Sequence, residues 1–156
     1  MDLDRIDRKL LELLLRDGRA RASTLAEMVN LSARATLARI RDLERRGCIR
    51  GYHAQLGFPA TGRYVSLFAE IALKGHERTT IASFEKTVLA APEVVACYLV
   101  SGRYDYLVRL GCRDLAHYHD LTASWLNDPG LGIEKIGSST ELRTVKEFAG
   151  FSVQAE

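Results

Sequence analysis

The residues in this chain best equipped for chemistry are arginines crowded into one segment: Arg34, Arg39, Arg41, Arg45, Arg46 and Arg50. A guanidinium group does not exchange protons near neutral pH. It binds phosphate and the guanine edge through paired N–H donors. Guanidinium groups in a row on one helix suit a DNA backbone and its major groove. The histidines offer less. His117 and His119 are the only close pair, and at i, i+2 on a helix they face different directions, which argues against a two-ligand metal site. Cys48, Cys97 and Cys112 are odd in number, widely spaced and set in apolar segments, as reduced thiols are. No metal and no cofactor is expected.

The elements that must hold those arginines are legible. Asn30-Leu31 marks a tight turn, Ser32 caps a helix over 32–46, and Gly47 stops it. Leu37, Ile40 and Leu43 at i, i+3 and i+6 turn to one side, which leaves Arg34, Arg39, Arg45 and Arg46 pointing elsewhere. Arg41 lies nearer the buried edge, facing Glu44 or Glu27. Upstream, a first helix begins near Asp4, with Ile6, Leu10, Leu13 and Leu14 as its apolar stripe and Gly18 as its stop. A second begins at Ser23 and turns Leu25, Ala26 and Val29 inward. Asn30 tolerates the left-handed conformation that the turn requires. Cys48 to Leu56 reads as a strand leaving the bundle, and Gly57–Gly62 breaks the pattern. The divisions are therefore 1–52 for a winged helix-turn-helix domain, 53–63 for a linker and 64–156 for a second domain. The residues expected on double-stranded DNA are Ser32, Arg34, Ala35, Thr36, Ala38, Arg39, Arg45, Arg46 and Arg50.

Charge agrees with this division. The net charge of +2 is uninformative for the whole chain, but residues 1–62 carry 12 Arg/Lys against 8 Asp/Glu, a balance of +4. The remaining 10 against 12 leave −2 in residues 63–156. Basic charge thus gathers in the half with the helix-turn-helix pattern. The charged N-terminus and the absence of a long apolar run exclude a membrane segment and fit a cytoplasmic protein.

The second half changes period. Val65, Leu67, Ala69, Ile71 and Leu73 alternate, as in a strand with one buried face. Ile81, Phe84, Val88 and Leu89 are helically spaced before Pro92. Two strands, Val94–Ser101 and Tyr104–Cys112, meet at Gly102-Arg103. Asp114 caps a helix in which Leu115, Tyr118, Thr122 and Trp125 share a face, Asp128-Pro-Gly130 ends it, and a strand runs from Ile133 to about Val153. The order β-α-β-β-α-β is a ferredoxin-like repeat, giving an α+β chain overall. Helices cover one face of such a sheet, and a second copy is the simplest cover for the other. A homodimer follows.

The whole pattern resembles the Lrp/AsnC (feast/famine, leucine-responsive regulatory protein) family of transcriptional regulators. The marks are Leu3-Asp-Arg-Ile-Asp7 with Leu10-Leu11, Asp17-Gly-Arg19, Leu31-Ser32, and Arg39-Ile-Arg-Asp-Leu-Glu-Arg-Arg-Gly-Cys-Ile-Arg-Gly-Tyr52. Leu99-Val-Ser-Gly-Arg-Tyr-Asp-Tyr106 and Val145-Lys146 follow. The resemblance implies a DNA-binding regulator with a ferredoxin-like (RAM) domain that forms dimers, then tetramers or octamers, and binds an amino acid or related metabolite between dimers. Carried onto this chain, the effector site is expected at Ser101, Gly102, Arg103, Tyr104, Asp105 and Ser138. Three positions depart from the family pattern: Asn30 for a usual glycine, Arg103 for a frequent acidic residue, and Ile136 at the first position of a Thr-x-Thr pattern whose second position is Ser138. Arg103 offers a fork for a carboxylate, and its alternative is a solvated turn residue. A siroheme-decarboxylase-like enzyme on the same architecture is the competing reading. It would require basic and imidazole groups converging on a tetrapyrrole, whereas His53, His76, His117 and His119 are scattered.

Overall fold

The computed structural model describes residues 3–54, 56, 62, 64–148, 150 and 151. They form two compact units, residues 1–55 with 146–156, and residues 56–145. Among the described residues, those from Lys146 on group with the first unit, whereas the sequence pattern keeps 64–156 together. The expected linker and its glycine-rich break, Gly57–Gly62, fall largely outside the described residues.

The first unit is a three-helix bundle of α1 (Arg5–Arg16), α2 (Ala22–Val29) and α3 (Ala33–Arg45). Its core is Leu10, Leu25, Ile40 and Leu43, with Ile6, Leu13, Leu14 and Val29 packed around them. Each helix end has a local cause. The Asp4 carboxylate accepts the Asp7 amide at 2.8 Å to start α1, and Ser32 Oγ accepts the Ala35 amide at 3.2 Å to start α3. Asn30 closes α2 at φ 56°, ψ 48°, the left-handed conformation expected of the turn. Gly47, at φ 72°, ends α3 where a side chain would be strained.

Two expectations fail in this unit. Helix α2 starts at Ala22 behind Arg21, which makes no side-chain cap, so Ser23 lies inside the first turn. Residues 48–54 form no strand. The β-rich composition of Cys48-Ile-Arg-Gly-Tyr-His finds no ladder partner among the described residues, and an unpaired extended segment is not a strand.

The second unit holds β1 (Val65–Leu73), α4 (Arg78–Ala90), β2 (Val94–Leu99), β3 (Tyr106–Cys112), α5 (Leu115–Asn127), a 3-10 turn (Pro129–Leu131) and β4 (Ile133–Thr140). The antiparallel sheet runs β2-β3-β1-β4, the strand order of a ferredoxin-like fold. Leu67, Ala69, Ile71 and Leu73 of β1, with Tyr106, Val108, Leu110 and Cys112 of β3, pack on Phe84 and Val88 of α4 and on Tyr118 and Trp125 of α5. Period-2 alternation along both strands produces that face. Asp114 caps α5 as expected, accepting the His117 amide at 2.7 Å. Leu115 and Leu89 are exposed rather than packed.

Strand β4 stops at Thr140, short of the expected end near Val153. The partner strand β1 begins at Val65, so little of it is left to pair with beyond Thr140, and Glu141 makes the last contacts there. Its amide bonds to the Ser66 carbonyl, and its carboxylate takes Ser66 Oγ at 2.6 Å and Arg109 at 2.8 Å. The chain is thereby tied at the end of its ladder with β1. The opposite sheet face carries Phe68, with the Arg109 guanidinium over its ring, and Glu70.

Candidate DNA-reading face and effector loop

Burial fixes the rotation of α3. Thr36, Ile40 and Leu43, at i, i+4 and i+7, are buried, and Arg34, Leu37, Ala38, Arg41, Glu44 and Arg45 are exposed. This corrects the sequence-based placement by part of a turn. Leu37 lies outside the core and Arg41 on the open side, while Thr36 leaves the candidate contact set because its side chain is sealed inside the bundle. Thr36 Oγ1 has no hydrogen-bond partner among the described residues. The spacing i, i+3, i+6 drifts around a helix, and Thr36 supplied no apolar signal to set the stripe at i, i+4, i+7.

Arg39 is the larger correction. It is not presented to solvent with Arg34. Its Nη1 donates to Asp4 at 2.6 Å and to Asp7 at 2.7 Å, clamping α3 to the first turn of α1. Asp7 is buried, so the pair satisfies a carboxylate that would otherwise be stranded. The amide of Asp7 and then the Arg39 guanidinium hold the Asp4 carboxyl below its ordinary range. Arg46 is partly turned inward too, pairing with Asp42 at 3.2 Å. Arg45 also bonds Asp42 but stays three-quarters exposed. Arg34 and Arg50 are exposed, and no ion pair reaches either among the described residues. Ser32 points its hydroxyl at the α3 N-terminus, and Ala35 is half-buried beside it. After the helix, Tyr52 donates to Glu44 at 2.9 Å, and partial burial with that carboxylate pushes the phenol up to about 12. This bond ties Tyr52 to α3.

In the second unit, Ser101 to Asp105 form the loop between β2 and β3. Gly102 sits at φ 139° with open space where a side chain would project, a conformation that a side chain rarely adopts. Asp105 is anchored: its carboxylate accepts the Leu73 amide at 2.7 Å and meets His76 Nε2 at 2.8 Å. The Leu73 amide, then His76, hold its carboxyl below the ordinary range. Arg103 is largely solvent-exposed, as its alternative as a turn residue expects, but it is not free. Its Nη2 lies 2.9 Å from both oxygens of Glu70, and the guanidinium stacks 5.6 Å from the Tyr104 ring. Ser138 points to the helix side of the sheet, where its hydroxyl bonds Tyr118. No hydrogen bond joins Ser138 to the 101–105 loop among the described residues. Asp4, Asp7, Glu70 and His76 escaped the sequence reading because each pairs across at least 29 residues, beyond any local pattern.

Residues 3–50 match the family model described as winged helix-turn-helix DNA-binding, and residues 66–151 match the Lrp/AsnC ligand binding domain. The chain belongs to the Lrp/AsnC family. The transcriptional regulatory protein DoeX of Halomonas elongata is 40% identical over 146 residues, covering 94% of this chain and 92% of that protein. The leucine-responsive regulatory protein of Escherichia coli is 38% identical over 125 residues, covering 80% and 76%. Among solved structures, a transcriptional regulator of Neisseria meningitidis in complex with L-methionine superposes with a TM-score of 0.85 at 27% identity, over 98% of this chain and 97% of that one. The feast or famine regulatory protein of M. tuberculosis complexed with L-methionine gives 0.83 at 29% identity, over 97% and 100%. This Lrp/AsnC member is a transcriptional regulator, not an enzyme: it pairs a DNA-binding unit with a ligand-binding unit. No helix among the described residues is long and apolar enough to cross a membrane.

Proposed function

We propose that this regulator binds a roughly palindromic duplex as a dimer in the cytoplasm, with α3 in the major groove and half-sites about one helical turn, or a multiple, apart. The observation carrying this is Arg34, exposed and without an ion pair among the described residues, on the open face of a helix whose opposite face builds the core. Arg45 and Arg50 add phosphate affinity, and Ser32 aims the α3 N-terminus at the backbone. Ala35 and Ala38 keep the helix slim enough to approach the bases.

The dimer forms through the sheet face bearing Phe68, Glu70 and Arg109, which the helices leave open, and dimers assemble further into tetramers or octamers. The effector is an amino acid or related carboxylate held near Ser101–Asp105. L-methionine in two similar regulators supports that ligand class. The backbone of Gly102 lets the ligand approach closely, and Asp105 acts by ordering the loop through Leu73 and His76. Effector binding shifts the spacing of recognition helices between dimers, a coupling of about 1–3 kcal/mol.

The test has two parts. The full chain is incubated with a randomised duplex pool, and the retained sequences are read for two-fold symmetry. A thermal-shift screen of amino acids and their catabolites then identifies the stabilising ligand, which is added to the duplex titration. Symmetric half-sites and a ligand-dependent change in affinity support the reading. Retention without sequence preference, or a ligand that leaves DNA affinity unchanged, overturns the corresponding half.

A further inference from the structure

We infer that Leu37, flanked by Arg34 and Arg41, is the base-reading element of α3, its side chain packing on the 5-methyl group of a thymine in the major groove. This rests on the DNA-binding reading above and names the residues and base chemistry of that same face. Leu37 is a large apolar side chain, 40% exposed, and it is absent from the residues that build or pack around the three-helix core. It sits one turn after Arg34 and one turn before Arg41, so the three side chains share a side of the helix. Both arginines are exposed, and neither has an ion pair among the described residues. Ala33 and Ala38, also exposed, are short, so Leu37 stands above the surrounding helix surface. The acidic residue on that side, Glu44, is already engaged by the Tyr52 hydroxyl.

An exposed apolar side chain with a guanidinium group one turn to either side matches one occupant well. The thymine methyl is the apolar group that base pairs present in the major groove, and it lies between phosphate rails that suit Arg34 and Arg41. A second copy of this chain fits poorly. In a two-fold contact through this patch, Arg34 and Arg41 would face their own equivalents, and like charges oppose such docking.

The experiment uses the full chain and a duplex that the wild type selects from a randomised pool. Deoxyuridine, which lacks the methyl, replaces each thymidine in turn, and affinity is read by fluorescence anisotropy. Removing the contacted methyl group in one half-site should weaken wild-type binding by about fourfold, and removing its symmetry mate as well by about fifteenfold. Leu37→Ala should bind the unmodified duplex correspondingly weakly, show no response to deoxyuridine there, and retain wild-type affinity for an unrelated duplex. Leu37→Met should retain the response. Arg41→Ala should weaken binding to selected and unrelated duplexes alike. Identical deoxyuridine profiles for wild type and Leu37→Ala overturn the placement of Leu37 while the DNA-binding reading stands. Failure of the wild type to select any duplex overturns that reading, and this inference with it.

Discussion

Replacing Arg39 with alanine separates two roles that one guanidinium cannot fill at once. In the structure it bridges Asp4 and Asp7 at 2.6 and 2.7 Å, its own side chain 35% exposed. The Asp4 interaction adds little, because that carboxylate is half exposed and solvent screens the pair. Asp7 carries the cost, its side chain only 10% exposed. A buried carboxylate that loses a charged hydrogen-bond partner costs about 1.5–3 kcal/mol, and the partial exposure of Arg39 places the change near the lower part of that range, about 2 kcal/mol. In a chain of 156 residues unfolding cooperatively, that lowers the Tm by about 4–8 °C. Differential scanning calorimetry reads it directly. Adding Asp7→Asn to Arg39→Ala removes the stranded charge and should recover part of the loss, so the double-mutant cycle is non-additive. Operator affinity, measured well below the transition, should change little. An Arg39→Ala variant that melts like wild type and loses DNA affinity would refute the clamp and return Arg39 to the groove.

Three further outcomes follow from particular side chains. Thr36→Val exchanges a buried, unpartnered hydroxyl for a methyl of similar shape and should leave stability unchanged or raise it by about 1 kcal/mol in urea unfolding, with DNA affinity unaltered. Asn30→Ala forces a β-carbon into the left-handed region and should cost about 1 kcal/mol by the same measurement, whereas Asn30→Gly should be tolerated. Asp105, Asp4, Asp114 and Glu141 are all held below their ordinary pKa range in the folded chain, chiefly by backbone amides and by hydroxyl and cationic partners. The unfolded chain therefore takes up protons first on acidification. Their contribution is fully present above about pH 5 and is lost as pH falls through the folded values, so Tm should fall there, less so in Asp105→Asn.

Local chemistry explains what the sequence made legible. Ser32, Asn30 and Asp114 act on their own neighbours within three residues, so cap and turn could be read without the fold. The alternation of β1 and β3 likewise reports the buried sheet face, because a strand's period is two wherever it sits. The rotation of α3 was less legible. Its few apolar residues allow two stripes, and the correct one passes through Thr36, whose burial depends on α1 and α2 packing above it. Pairings across the fold were not legible at all. Nothing near Arg39 in sequence shows that Asp4 and Asp7 will reach it, and nothing near Arg103 shows that Glu70 will occupy it. Such pairs exist only once strands and helices have come together, which is why the arginine cluster was visible and the choice of which arginines remain free was not.

The most direct test is a salt titration of duplex affinity for wild type and for Arg34→Ala/Arg45→Ala, on the duplex that the wild type selects. If the exposed face of α3 meets the phosphate rails, wild-type log K should fall linearly with log salt concentration. The double variant should bind more weakly, with a slope shallower by about one for each phosphate it no longer neutralises. Equal affinity and equal slope for the two proteins, both folded, would contradict the assignment of that face to DNA.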